Sequence, residues 1–130
     1  MGINSMKALV LEENVRIIEL YKKIFEQKNH QVDFVSDVGS CLGRIDDNTN
    51  YDFVILEESM RIPEGDNVED LIRAARPQQK IFFLSPYMSH RDPQFDAVKE
   101  TLDLIDKPFA MISLLSFLEI KHVFDHNILS

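Results

Sequence analysis

The 130-residue chain has a single cysteine, Cys41, only four glycines, and no cluster of lysine and arginine. One thiol cannot form an intrachain disulfide, so stability has to come from a packed core, and a reducing cytoplasm is the expected setting. No apolar run approaches the ~20 residues that span a bilayer, and no signal-peptide pattern opens the chain. A formal charge of −8 with no basic patch repels nucleic acid, so direct DNA binding is excluded as a reading and no membrane role is expected. Repeats, linkers and low-complexity segments are also missing. What is present is the ordinary mix of a globular domain, 45% hydrophobic and 28% charged, at a length that suits one core.

The most informative stretch is Asp52-Phe53-Val54-Ile55-Leu56-Glu57-Glu58. Four consecutive apolar residues, two of them β-branched, read as a strand buried on both faces, and the run stops at two carboxylates. Met6 to Leu11 reads as an earlier strand ending at Glu12-Glu13-Asn14. Val15, Ile18, Tyr21 and Phe25, with Ile17, Leu20 and Ile24 beside them, predict a helix to about Lys28, broken by Asn29-His30. Val32 and Phe34 predict a short strand to Val35. Ser36-Asp37 then caps a helix carrying Cys41, Leu42 and Ile45, weakened by Gly39 and Gly43.

Beyond the organising strand, Pro63 and Gly65 mark a loop, and Asp66 with Glu69 resembles a capping box ahead of Val68, Leu71, Ile72 and Ala75. Lys80 to Leu84 predicts a buried strand that ends at Ser85. Asp92-Pro93 starts a helix carrying Phe95, Val98 and Leu102. Leu104-Ile105 predicts a fifth strand, ending at Asp106-Lys107-Pro108, and Met111, Leu114, Leu115 and Leu118 mark a closing helix to about Phe124. Strand and helix thus alternate five times, which predicts an α/β fold: one doubly wound parallel sheet of five strands with five helices. Parallel strands share one carboxyl edge, so Glu12, Glu13, Glu57, Ser85 and Lys107 should meet on one rim.

That set of strand ends resembles the receiver domain of two-component response regulators over roughly residues 6–120. Receivers carry paired acids after the first strand, a phosphoacceptor Asp after the third, Ser or Thr after the fourth and Lys-Pro after the fifth. Here those places hold Glu12-Glu13, Glu57, Ser85 and Lys107-Pro108, with Gly65 matching the family's loop glycine. The resemblance implies a flavodoxin-like strand order, 2-1-3-4-5. It makes Glu57 the phosphoacceptor equivalent and Ser85 and Lys107 the switch and phosphate-contact equivalents. It further implies a weak Mg²⁺ or Ca²⁺ site on Glu12, Glu13, Glu57 and the backbone carbonyl of Ser59.

The departures are as telling. All three acid positions are Glu, Pro86 follows Ser85, Leu104 stands where an aromatic switch residue is common, and Arg61 replaces a usual Pro. Glu extends a carboxylate by up to ~1.5 Å beyond Asp, and ~1 Å of misplacement can cost ~10²-fold in rate. Phosphotransfer to Glu57 is therefore not expected. The longer Glu57 could instead reach Lys107 and imitate the phosphorylated state, or the pocket could be a relic of a module that works by its surface.

The expected protein is a stand-alone, phosphorylation-independent receiver, not an enzyme. Its partners would be a histidine kinase, a downstream effector or a second copy. The rivals are a phosphorylatable receiver with an unconventional acceptor and a flavin-binding protein of the same topology, the latter disfavoured because Glu12-Glu13 would repel a phosphate. Residues 1–5 are read as an expression remnant or short extension, 6–124 as the domain and 125–130 as a tail. His122 and His126, four apart without a third ligand, read as solvated, and Cys41 reads as core.

Overall fold

The structure, a computed structural model, describes residues 5–47, 50–57, 67–84 and 99–129, with side chains in the last stretch from 101 to 124. Among these residues four strands, β1 (Lys7–Leu11), β2 (Gln31–Val35), β3 (Phe53–Glu57) and β4 (Ile81–Leu84), form one parallel sheet in the order β2-β1-β3-β4. Four helices accompany them: α1 (Val15–Gln27), α2 (Val38–Asp46), α3 (Val68–Ala75) and α4 (Lys99–Leu129).

Alternation along the strands sends side chains to two cores. Ala8, Val10, Phe53 and Ile55 pack beneath α1 and α4 with Ile17, Tyr21, Phe25, Met111 and Leu115. Leu9, Leu11, Val54 and Leu56 face α2 and α3 with Cys41, Ile45 and Ile72. The sheet is thus covered on both sides, which is why β1 and β3 read as unbroken apolar runs. Cys41 is buried core, as expected.

Helix ends follow local chemistry. Asn14 Oδ1 accepts the Arg16 and Ile17 N–H groups and starts α1, and Asp37 Oδ1 accepts the Ser40 N–H to start α2. That bond holds the Asp37 carboxyl below the usual carboxylate range. At the other end of α1, Asn29 takes φ 61, the His30 N–H reaches Phe25 O and the Asn29 N–H reaches Glu26 O. This is a Schellman closure, with Asn tolerating the left-handed conformation.

Several expectations need correction. Val15 is exposed, and the buried stripe of α1 is Ile17, Tyr21 and Phe25. The cap of α3 is Asn67, whose Oδ1 accepts the Asp70 N–H, rather than Asp66. The largest difference is the fifth strand: Leu104-Ile105 lies within α4, a 31-residue helix, so the described sheet has four strands rather than five. Two apolar residues between Asp103 and Asp106 are too few to hold a strand. The buried positions Asp103, Asp106, Lys107, Ala110, Met111, Leu115 and Leu118 recur at intervals of three and four, which is one helix face. Pro108 sits inside this helix and removes the N–H that would bond Leu104 O, a cost of ~3 kcal/mol. Burial of Met111, Leu115 and Leu118 against β1, β3 and α1 offsets it. The predicted loop at 61–66, the residues Glu58, Ser59 and Ser85, and the helix start at 92–98 lie outside the described residues.

Candidate functional site

The carboxyl edge of the sheet carries the charge. Glu12 follows β1 directly; its N–H donates to Val35 O at 2.9 Å, and its Oε2 accepts the Asn14 N–H at 3.0 Å. Glu57 is the last residue of β3, where the fully buried Val54-Ile55-Leu56 run reaches the rim. Lys107 comes from α4, not from a strand end, and its residue is 4% exposed. Its Nζ donates to Glu12 Oε1 at 2.9 Å and lies 3.3 Å from Glu57 Oε1. One turn earlier on the same helix face, Asp103 is also buried.

Three carboxylates therefore surround one ammonium, and repulsion among them is relieved through Lys107. Burial works to lower the Lys107 pKa, but the hydrogen bond to Glu12 and the charges of Glu12, Glu57 and Asp103 outweigh it. The net direction is upward. Tyr21, from α1, is 1% exposed, and its hydroxyl has no hydrogen-bond partner among the described residues. Burial, then the negative charges of Glu12, Glu57 and Asp103, push its phenol well above the usual range.

A cavity of about 400 Å³ opens over this cluster, lined by Glu12, Glu13, Asp37, Glu57, Asp103 and Lys107. Of the expected rim residues, the structure brings Glu12, Glu57 and Lys107 into contact and leaves Glu13 exposed on the cavity wall. Ser59 and Ser85 lie outside the described residues. Asp103 was not anticipated. Its signal is the i, i+4 spacing to Lys107, visible only once 103–107 is read as helix.

Among the described residues no group of three or more His, Cys, Asp or Glu is arranged to hold a metal ion. The reason is local: the Lys107 ammonium stands between Glu12 and Glu57, the two carboxylates that would be shared by an ion. The donor set does not fit a bound cation while that contact persists. His122 lies half-buried on α4, and the His126 side chain is outside the described residues.

A parallel, doubly covered sheet in the order β2-β1-β3-β4, with acids and a lysine meeting at the carboxyl end of β1 and β3, defines a flavodoxin-like α/β fold. The response regulator receiver domain family matches residues 8–119, and the chain belongs to that family, a component of two-component systems. No curated protein matches it. Among solved structures, a chain described as yeast Spc42 trimeric coiled-coil residues 181–211 in a fusion is similar at TM-score 0.59 and 12% identity, over 95% of this chain and 82% of that one. A chain of the crystal structure of histidine kinase ThkA in complex with response regulator protein TrrA is similar at TM-score 0.51 and 23% identity, over 75% of this chain and 96% of that one. Both likenesses concern the fold alone.

Proposed function

We infer that this receiver domain is a signalling interaction module that works without phosphorylation, its acceptor site closed by an internal ion cluster. The observation that supports the reading is the contact of Lys107 with both Glu12 and Glu57. In this reading Glu57 stands at the acceptor position and supplies to Lys107 the negative charge that a phosphoryl group would bring. Ser85 is the switch equivalent, following β4. The module binds rather than catalyses, and its partner is a protein of cytoplasmic two-component signalling, a histidine kinase or an effector. In support, the similar solved structure holds a histidine kinase together with a response regulator.

A divalent ion, Mg²⁺ or Ca²⁺, would enter through Glu12, Glu13, Glu57 and the Ser59 carbonyl only by displacing Lys107, which makes its binding weak. The runner-up is a phosphorylatable receiver, favoured by the cavity over Glu57, whose side chain is 16% exposed. Intact-mass measurement after incubation with acetyl phosphate and Mg²⁺ separates the two. The closed-site reading expects no change; a stable adduct of about 80 Da, one phosphoryl group, on Glu57 or Ser85 overturns it.

A further inference from the structure

A second cavity, of about 500 Å³, lies at the opposite end of the sheet from the acid cluster, between the approach to β3 and the turn that joins α3 to β4. Tyr51, Asp52, Arg76, Gln79 and Lys80 line it. Its volume falls in the ~300–1,000 Å³ range of small-molecule sites. Five residue steps of β3 separate Asp52 from Glu57, about 17 Å at ~3.3 Å each, so an occupant here is remote from Lys107.

The cavity wall is held by satisfied polar groups. Gln79 is 7% exposed, and its Nε2 donates to Tyr51 O and to Lys80 O, at 3.2 Å each, joining the α3–β4 turn to the approach of β3. The Gln79 N–H donates to Arg76 O at 3.1 Å, and the Val54 N–H to Lys80 O at 2.9 Å. Arg76 Nη1 donates to Asn50 Oδ1 at 3.1 Å, which restrains the guanidinium. A wall fixed in this way needs little ordering when a ligand enters.

The charge of the lining has the opposite sign to that of the chain. Two cations, Arg76 and Lys80, face one carboxylate, Asp52, whose Oδ2 already accepts the Lys7 N–H at 2.7 Å. Lys7 adds a third cation, its Nζ 5.5 Å from the Tyr51 ring centroid. Asp33, which accepts the Tyr51 hydroxyl at 2.6 Å, is itself 3.6 Å from Arg44. Exposed charges more than a Debye length away, ~8 Å at physiological salt, are largely screened. An entering anion therefore meets these cations rather than the net charge of −8. The fold does not consume all of them. Lys22, Lys28, Arg44 and Arg73 each stand within 3.6 Å of a carboxylate of the same chain. Arg76 caps α3, where a cation offsets the negative end of the helix. Lys80 is exposed and makes no ion pair among the described residues.

We propose that the cavity at the amino edge of the sheet binds a small anion bearing carboxylate or phosphate groups, held by Arg76 and Lys80. The planar guanidinium suits paired oxygens, and the lysine acts as a point charge beside it. The proposal does not depend on the closed acceptor site, since none of these residues touches the Glu12–Lys107–Glu57 cluster.

Citrate and pyrophosphate are the probes, each titrated into the isotope-labelled full chain in metal-free buffer at constant ionic strength. Backbone amide spectra should show saturable shifts centred on residues 51–52 and 75–80, with a midpoint on the order of 1 mM. Lys80→Gln should weaken binding about tenfold, and its circular-dichroism melt should match the parent's because Lys80 is exposed. Lys23→Gln removes an exposed cation from α1, on the other side of the sheet, and should leave the affinity unchanged. Saturation by both probes shows that charge selects the ligand; saturation by one assigns the carboxylate or the phosphate class. Shifts that never saturate, shifts centred elsewhere, or an affinity indifferent to Lys80→Gln each overturn the proposal.

Discussion

The Lys107 ammonium donates to Glu12 Oε1 at 2.9 Å across 95 positions of sequence, tying α4 to the end of β1, and Glu57 Oε1 stands 3.3 Å from the same nitrogen. Side-chain exposures of 5%, 7% and 16% for Lys107, Glu12 and Glu57 place the cluster out of the range of surface pairs, which contribute only ~0–1 kcal/mol. Removing one member of a buried pair costs ~3–5 kcal/mol because the other charge is left without compensation. Lys107→Ala and Glu57→Gln should each destabilise the chain beyond surface-pair values, Lys107→Ala more, since it leaves Glu12, Glu57 and Asp103 opposed. In denaturant melts the double variant should lose less than the sum of the singles. Additivity within ~0.5 kcal/mol would mean that Glu57 and Lys107 act independently.

The Glu57–Lys107 contact was expected on the strength of a fifth strand that the described sheet lacks: Glu57 ends β3 as its apolar run predicts, but Lys107 reaches it from α4. The role of Glu12 was only half legible. Its acid place was apparent, but the closest counter-charge proved to be Lys107, a residue whose position depends on α4. Strands β1, β3 and β4 were readable from short apolar runs, whose meaning does not depend on distant contacts. The segment 104–108 was misread because Leu104-Ile105 resembles a strand in isolation, whereas Leu102 lies in a helix as expected. Its helical stripe is made partly of charged residues, Asp103, Asp106 and Lys107, which no hydrophobic periodicity registers. Their burial is a tertiary fact, set by the cluster they join.

Metal competition should follow from the same contact. With Lys107 between the carboxylates, millimolar Mg²⁺ or Ca²⁺ should move the melting temperature of the parent chain little. In Lys107→Ala the freed acids should bind the ion, and stability should rise with concentration as ligand linkage requires. Equal shifts in parent and variant would show that the ion binds elsewhere.

Tyr21 offers a test of the cluster's polarity. Its hydroxyl is buried without a hydrogen-bond partner among the described residues, beside three carboxylates. An unsatisfied buried hydroxyl costs ~1–3 kcal/mol, so Tyr21→Phe should leave stability unchanged or raise it by about 1 kcal/mol in urea melts. A loss of more than about 1 kcal/mol would reveal a hydrogen bond to the hydroxyl through water.

His30 anchors the far end of α4. Its Nδ1 accepts the Met6 N–H at 3.0 Å, which leaves the proton on Nε2, 2.6 Å from Glu119 Oε2. Lys28 Nζ reaches the other oxygen of Glu119 at 3.3 Å. His30→Ala strands both the Met6 N–H and Glu119, and should cost about 2 kcal/mol or more. Glu119→Gln keeps an acceptor for Nε2–H and should cost about half as much. Equal losses in equilibrium unfolding would show that charge, not the hydrogen bond, holds the anchor.

Alkaline stability is set by four groups whose folded pKa lies above the ordinary value: Cys41, Tyr21, Lys107 and Tyr51, whose phenol is pushed up to about 12 by burial and by its hydrogen bond to Asp33. Burial pushes the Cys41 thiol up to about 11, whereas in the unfolded chain it ionises near ~8.5. Between those values the unfolded chain has released a proton that the folded chain retains, so stability falls as pH rises, by up to ~1.4 kcal/mol per pH unit. The Tyr21 phenol is raised by burial and by the neighbouring acids, and Lys107 is raised by its carboxylates against the pull of burial. Both contributions are complete below about pH 10 and are lost as pH climbs through the folded values. Denaturant melts should therefore hold level to about pH 8.5, decline from there, and steepen above about pH 10. In Cys41→Ala the first decline should vanish and the onset move to about pH 10. An unchanged onset near pH 8.5 in that variant would show that the buried thiol is not its source.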